Sequence, residues 1–520
     1  MDQAPVKSLG AYKTKARRLE KRWQELCASY LPLLESVSIW RYHRVRDPHE
    51  PEQGWKLHIS ATILNAGKIL DRIAPVLAAH KVQFKAPHSL YEVSRINSGL
   101  IYGYSQVGKI ITVYPRTPEQ AVALAETLHK LTRRMTAPVV AFDRRYSSAS
   151  NIYYRFGAFT PLQMVNANGQ HQLAIRTPAG ELIPDLRESA NATPDWVSDP
   201  FENKNRRRSC QVRHTRNPRA KNFRVLSVLV QRGKGGVYQA VDLSVSPPRL
   251  CLLKEGRKNG EVNCAGRDGS WRVRHEESVL SQLAAHGMDV PRIYTSFEIE
   301  GNYYLVTEFI QGECLHSLLC KLKRRMPIAR VLQYGIKLAD IFTQIHSAGW
   351  VWRDCKPLNL IVTPCGDLRP FDFEGACPVD EPDPMLWGTP GFTPPEWSDL
   401  NLQAGRHDDL YSLGSMLYLL LSGRVPDPIA TVPLEKLRAG VPSKVRGLVE
   451  MLLSHSLEQR PAAAMVSREL KKALSLLEKK VTPLRPKPRG AMARIAFAGK
   501  GGRKRSRAES SVTARPAMGV

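Results

Sequence analysis

The chain has 520 residues, 42% of them hydrophobic, which is too long for one ordinary core and enough for two or three. Lys and Arg number 76 against 48 acids, a net charge of +28, so the chain favours anionic partners while its charge says nothing of its fold. Nine scattered cysteines without a C-x-x-C pair exclude a disulfide scaffold, no run nears the ~20 apolar residues of a membrane span, and the charged first segment lacks a signal core, so a cytoplasmic protein is expected.

Trp55, Leu57 and Ile59 alternate with Lys56, His58 and Ser60, the pattern of a half-buried strand. Ile69, Leu70, Ile73, Val76 and Leu77 follow at helical spacing. Val82 and Phe84 alternate with Gln83 and Lys85 in a second strand, and residues 109–114 make a third, opened by Lys109. Thr117-Pro118-x-Gln120 reads as an N-cap, a proline at N1 and a capping partner at N3, starting a helix that buries Ala121, Leu124, Ala125, Leu128 and Leu131. Residues 1–160 are therefore an α+β domain with an N-terminal helical extension. Residues 161–221 read as a connector; nine basic residues and no acid lie within 203–224. Strands near 225–230, 237–241 and 250–253 give way after about residue 312 to helices marked by Leu338, Ile341, Phe342 and Ile345 and by Leu410, Leu413, Leu417, Leu420 and Leu421. Strands first and helices later predict two lobes over residues 222–478. The last stretch, 479–520, is expected to be a disordered basic tail, with ten basic residues and one acid from 482 onward.

The sharpest chemical signal is Trp352-Arg353-Asp354-Cys355-Lys356-Pro357-Leu358-Asn359, followed by Asp372-Phe373-Glu374, Gly388-Thr389-Pro390-Gly391 and Pro394-Pro395-Glu396. This ordered set resembles the protein-kinase superfamily. A phosphate in transfer spreads negative charge, so its site must supply cations and align a hydroxyl. The resemblance implies that Asp354 accepts the hydroxyl proton, Lys356 steadies the γ-phosphate, and Asn359 and Asp372 hold Mg²⁺. It implies that Lys254, at the end of an apolar strand, binds the nucleotide phosphates with Glu276 as its partner, and that Glu396 pairs with Arg460. The glycine loop departs from the family. Gly235 is in place before Val237, Arg232 and Val230 stand where glycines belong, and Gly233 and Gly236 are displaced substitutes. Trp352 replaces a histidine, and Glu374 replaces a glycine, which restricts flipping of Phe373.

In the first block, period two puts Lys56 and His58 on one strand face, with Lys85 on the polar face of the next strand. Lys109, Arg144, Arg145, Tyr146 and Arg155 follow. Cations converging near a histidine suit a bound phosphate and depress a neighbouring lysine's pKa enough to make it a base. Lys56-Leu57-His58, Phe84-Lys85, Gly108-Lys109 leading into Thr112-Val113-Tyr114-Pro115, and Tyr154-Arg155-Phe156-Gly157 resemble the N-terminal lyase domain of class III lanthipeptide synthetases, itself similar to phosphothreonine lyases. Asp195-Trp196-Val197-x-Asp199-Pro200-Phe201 and Lys234-Gly235-Gly236-Val237-Tyr238 resemble the same family, over about residues 40–478. The resemblance implies that Lys85 removes the α-proton of a phosphorylated Ser or Thr, that His58 protonates the departing phosphate and that Lys56 braces the phosphate or the enolate. Lys109, Arg144 and Arg155 are weaker candidates for phosphate contacts. No metal is implied in the elimination, because fixed cations stabilise the leaving group.

Class III synthetases continue into a cyclase domain, whereas this sequence ends about 40 residues after the kinase helices, so ring closure is expected of a separate cyclase, of spontaneous chemistry, or not at all. The first hypothesis is a bifunctional peptide dehydratase that uses ATP (or GTP) and Mg²⁺ on a ribosomal precursor peptide, one chain raising the effective concentration of the phosphorylated intermediate. The second is a Ser/Thr protein kinase with a non-catalytic N-terminal regulatory domain. A nucleic-acid-binding role is disfavoured: the basic residues concentrate in connector and tail without interleaved aromatics, so no specific nucleic-acid partner is expected.

Overall fold

In the computed structural model, which describes residues 9–34, 38–186, 193–202, 221–383, 385, 387–398 and 403–481, the first block is built on a single antiparallel sheet. Its strands are β1 (Leu33–Leu34), β2 (Trp40–Tyr42), β3 (Gln53–Ile59), β4 (Gln83–Pro87), β5 (Ile111–Tyr114), β6 (Arg144–Arg145) and β7 (Ile152–Ala158). They lie in the order β1-β2-β4-β5-β3-β7-β6. Helices α1 (Leu9–Tyr30), α2 (Ala66–Ala79), α3 (Leu90–Ser98) and α4 (Pro118–Thr132) bury their apolar stripes against one face, with Trp23, Leu57, Ile59, Ile69, Ile73, Phe84, Val113 and Leu124 in a common core. Thr117 caps α4 by accepting from the Gln120 amide at 3.2 Å, and Gln120 Oε1 accepts from the Arg116 amide, one residue short of a closed capping box. Lys109 precedes β5 rather than opening it.

Part of the expected connector is built into this block. Residues 163–184 form a three-stranded antiparallel sheet, β8 (Gln163–Val165), β9 (His171–Arg176) and β10 (Leu182–Pro184). Phe201 is fully buried, stacked on Tyr154 at 3.9 Å and edge-on to Trp55 at 6.0 Å, a burial that contributes about 2–3 kcal/mol. Of the expected tail 479–520, residues 479–481 are still helical, closing the helix that begins at Ala463, and the remainder lies outside the described residues, as do the arginine-rich residues 203–220.

The second block is two-lobed. The first lobe is the sheet β11 (Phe223–Arg232), β12 (Gly235–Asp242), β13 (Arg249–Gly256), β14 (Ile293–Ile299) and β15 (Asn302–Glu308), in the order β11-β12-β13-β15-β14, with α5 (Gly269–Ala285) packed on it. The second lobe is helical: α6 (Leu315–Lys321), α7 (Ile328–Ser347), α8 (Arg406–Ser422), α9 (Ser443–Leu452) and α10 (Ala463–Val481). After a charged first turn α8 is buried on nearly every side and central, with Leu413, Met416, Leu417 and Leu421 fully buried. Among the described residues no helix is long and apolar enough to cross a membrane.

The two blocks touch at the β11–β12 hairpin. Arg232 pairs with Gly235, leaving Gly233 and Lys234 as a two-residue turn. The Gly233 amide donates to the Ser98 carbonyl at the end of α3, at 2.9 Å, and the Arg257 guanidinium lies 4.7 Å over the Tyr104 ring.

Candidate functional site

In the first block, strand alternation turns Lys56 and His58 away from the helix-packed core. Register then assembles their neighbours. Lys56 lies opposite Arg155, His58 sits between Thr112 and Tyr153, and Lys85 lies between Thr112 and Tyr42. Lys56, His58, Lys85 and Arg155 therefore share one face. Lys56 and His58 are buried; Lys85 is half-buried, its Nζ 4.3 Å from the centroid of the Trp40 ring.

Asp143, not singled out from the sequence, organises this face. Its Oδ2 lies 2.5 Å from His58 Nδ1 and its Oδ1 lies 2.8 Å from Lys109 Nζ. The sequence did carry a signal: Asp143 is the one acid between Glu126 and Glu181. Burial, the Lys109 and Lys56 charges and the opposing pull of Asp143 leave His58 with a pKa of about 4, so its imidazole is neutral near pH 7. Burial works against the Asp143 carboxylate, yet His58 and Lys109 hold it down at about 2. Above pH 4 Lys109 is the cation that answers Asp143, and His58 contributes a hydrogen bond.

One expected phosphate contact needs correction. Arg144 pairs in register with Tyr154, on the core side of the sheet, and donates to Asp199 Oδ2 at 2.5 Å. A step of one residue reverses the face of a strand, so it is Arg145, opposite Tyr153 and 5.5 Å over its ring, that shares the His58 face. Arg155 is on the expected face but already ion-paired with Asp185, and it also donates to the Leu186 carbonyl at 3.1 Å.

In the second block, β13 delivers Lys254 and α5 delivers Glu276, which meet at 2.5 Å; Lys254 also reaches Asp372 Oδ1 at 2.7 Å. These carboxylates outweigh burial and raise Lys254 well above the ordinary lysine range. Burial, offset by Lys254, raises Glu276, whereas Asp372 is depressed against its burial by Lys254 and Lys234. Asp354 accepts from Lys356 Nζ at 2.8 Å and from Thr389 Oγ1 at 2.9 Å, and Asn359 Nδ2 closes the loop onto the Asp354 carbonyl at 2.9 Å. Burial shifts the Asp354 carboxyl upward, with Lys356 opposing, the direction a proton acceptor needs. The Phe371 amide donates to the Asn359 carbonyl at 3.1 Å, tying the backbone beside Asp372 to Asn359. A carboxylate and an amide oxygen suit Mg²⁺ shared with phosphate oxygens; among the described residues no group of three or more His, Cys, Asp or Glu side chains forms that could hold a metal ion by itself.

The frame around this site is closed. Asp409 at the start of α8 accepts from the Trp352 and Arg353 amides at 2.9 and 2.8 Å, and Arg460 pairs with Glu396 at 2.5 Å. Trp352, standing in for histidine, stacks on Phe373 at 5.2 Å and donates its indole N–H to the Asp372 carbonyl at 3.1 Å. Glu374 is ion-paired with Lys234 from the hairpin turn. Of the three loop glycines, Gly235 packs on the Glu255 carbonyl, where a Cβ would stand 1.7 Å from the oxygen, and Gly236 packs beside Tyr238. Gly233 packs on the first block: a Cβ there would lie 1.7 Å from the Asn97 carbonyl oxygen.

Comparison with known proteins agrees with this division. Residues 33–212 match the family described as RamC, N-terminal domain, and residues 233–493, half the chain, match the protein kinase domain. The chain is 28% identical to a probable SapB synthase of Streptomyces coelicolor over 371 residues, covering 68% of this chain and 39% of that protein. It is also similar to serine/threonine-protein kinases PknA of Nostoc, 28% identical over 41% of this chain and 39% of the relative, and of Mycobacterium tuberculosis, 27% identical over 44% and 56%. The chain thus spans about two fifths of the length of the SapB synthase that it matches. With Lys254, Glu276, Asp354, Asn359 and Asp372 assembled between two lobes and a RamC N-terminal domain ahead of them, this chain belongs to the protein kinase family.

Proposed function

We propose that the chain is a bifunctional peptide dehydratase of the lanthipeptide-synthetase type, phosphorylating Ser/Thr of a precursor peptide from ATP or GTP with Mg²⁺ and eliminating the phosphate to leave dehydroalanine or dehydrobutyrine. The observation that carries this reading is the Asp143 carboxylate holding His58 and Lys109 on the sheet face that also bears Lys56 and Lys85, in one chain with a complete phosphotransfer constellation. The similarity to a protein named SapB synthase supports it.

In the transfer half, Asp354 accepts the substrate hydroxyl proton, Lys356 balances charge on the γ-phosphate, and Lys254, braced by Glu276, orients the nucleotide phosphates. Asp372 and Asn359 would hold Mg²⁺, which neutralises phosphate charge when bound. In the elimination half, Lys85 in its free-amine form accepts the α-proton, the released electron pair forms the Cα=Cβ bond, the Cβ–O bond breaks, and phosphate departs with a proton from His58. A phosphoryl dianion beside His58 favours the imidazolium that burial and the lysines disfavour, so the substrate itself charges the acid. Lys56, Lys109 and Arg145 supply the positive field on the leaving group.

The test is mass spectrometry of a Ser/Thr-containing precursor after incubation with enzyme, ATP and Mg²⁺. Dehydration makes the peptide lighter by one water per site. Lys85→Ala accumulates phosphopeptide, whereas Asp354→Ala leaves the precursor untouched but still eliminates from a synthetic phosphopeptide. If wild-type protein never forms an alkene from that phosphopeptide, the second reading stands instead: a Ser/Thr kinase with a non-catalytic N-terminal domain, which the similarity to PknA proteins favours.

A further inference from the structure

The sixteen residues from Phe373 to Gly388 contain no Ser, Thr or Tyr, and the two threonines between Gly388 and Pro394-Pro395-Glu396 are engaged, Thr389 on Asp354 at 2.9 Å and Thr393 on the Thr389 carbonyl at 3.4 Å. Protein kinases commonly order this segment by phosphorylating a hydroxyl there, the phosphate then pairing with arginine. That arginine is present. Arg353, beside Asp354, has a side chain only 1% exposed, a charge that must be answered inside the protein. Its Nε donates to the Gly375 carbonyl at 2.6 Å, its Nη1 to the Met385 carbonyl at 2.9 Å, and its Nη2 to Asp383 Oδ2 at 3.2 Å.

Asp383 is gripped a second time from the first lobe. Arg267, just ahead of α5, donates Nη1 to the same Oδ2 at 2.6 Å and lies 4.2 Å over the ring of Trp271 in the first turn of that helix. The Met385 amide donates to Asp383 Oδ1 at 3.0 Å. Burial disfavours the Asp383 carboxylate, but Arg353 and Arg267 hold it below its usual range, so it is charged throughout the physiological span. One carboxylate thus ties three parts together: the catalytic loop through Arg353, α5 with its Glu276–Lys254 pair through Arg267, and the segment between them.

We propose that Asp383 is a positioning residue that takes the place of an activating phosphate, holding α5 and the catalytic loop in the transfer-competent arrangement without modification of the segment. The proposal goes beyond the dehydratase reading and rests only on its phosphotransfer half.

The test uses the full-length protein treated with a broad-specificity phosphatase, with ATP–Mg²⁺ and dephosphorylated casein as acceptor. Wild type should keep its rate within twofold after the treatment. Asp383→Asn should lower kcat roughly 10- to 100-fold with a much smaller change in KM for ATP, since misplaced catalytic groups cost turnover more than binding. Asp383→Glu should recover most of that loss. Arg267→Ala should reproduce it, and the Arg267→Ala/Asp383→Asn double variant should be no slower than the slower single variant. In parallel, amide exchange over residues 376–383 and 269–276 should speed up in Asp383→Asn while exchange in the first-block sheet stays as in wild type. Loss of activity on phosphatase treatment, full activity in Asp383→Asn, or a dead Asp383→Glu would overturn the proposal. If wild type transfers nothing to casein, that counts against the phosphotransfer reading, and the exchange comparison decides the role of Asp383 by itself.

Discussion

The sharpest perturbation of the first block is Asp143→Asn, because one buried carboxylate serves both His58 and Lys109. The amide keeps the shape and removes the charge. Lys109 then loses the carboxylate that answers its charge, a loss of about 3–5 kcal/mol. At roughly 2–4 °C per kcal/mol for a domain of this size, the first unfolding transition should fall by about 6–20 °C. Stability should also change its response to acid. His58 binds its proton near pH 6.5 when unfolded but only near 4 when folded, so wild type loses about 3 kcal/mol as pH falls across that window. Asp143, depressed to about 2, contributes stability that is present above about pH 4 and is lost as pH falls through 2; the Asn variant lacks this second loss. With the carboxylate gone, the histidine loses the group that fixes its tautomer, and elimination from a synthetic phosphopeptide should slow roughly 10²- to 10⁴-fold. Calorimetry at several pH values and alkene formation followed by mass spectrometry read both effects. An Asn variant with wild-type stability and elimination within twofold of wild type would show that Asp143 organises nothing.

Three other variants separate roles that the sequence left mixed. Arg145→Ala should slow elimination about tenfold without changing the melting temperature by more than a degree or two, whereas Arg144→Ala, which breaks the pair with Asp199 near Phe201, should lower stability and spare the reaction. Trp352→Ala removes the ring stacked on Phe373 and the donor to the Asp372 carbonyl; it should destabilise the second block by about 3–5 kcal/mol and abolish phosphate transfer, measured by denaturant titration and ATP turnover. Gly233→Ala forces a methyl against the Asn97 carbonyl, so the hairpin must lift from α3 at a cost of about 1–3 kcal/mol; faster amide exchange at Ser98 and Gly233 checks it.

Much of this fold was legible because periodicity was uncontaminated. The alternation of Trp55, Leu57 and Ile59 with Lys56 and His58 follows from a sheet with one helix-packed face, and that same alternation put the candidate cations together before any register was known. The kinase constellation was legible for a different reason. Its residues sit at fixed offsets on short loops, so order along the chain stands in for geometry. What could not be read was anything decided by a loop of free length. Asp143 meets His58 across 85 positions, and no local rule pairs them. Arg144 and Arg145 are adjacent, and a choice between them needs the register of β6 on β7.

Gly233 shows how a motif residue can answer to a second constraint. A glycine near the start of a kinase sheet invites a phosphate-binding explanation, and the irregular spacing of Gly233, Gly235 and Gly236 looks like a degraded version of that loop. The turn holding Gly233 is only two residues long, and its backbone is already engaged: the Gly233 amide on Ser98, the Lys234 carbonyl on the Arg257 amide. Glycine is required there by the Asn97 carbonyl on the neighbouring domain. Asn97 in turn is buried, its side chain donating to the Ala61 carbonyl at 2.9 Å and accepting from the Gly108 amide at 3.2 Å, beside the ends of the segments that carry His58 and Lys109. The glycine at 233 therefore meets a constraint that a lone kinase domain does not have: the hairpin is also a contact with the first block, one helix away from the Asp143–His58–Lys109 cluster.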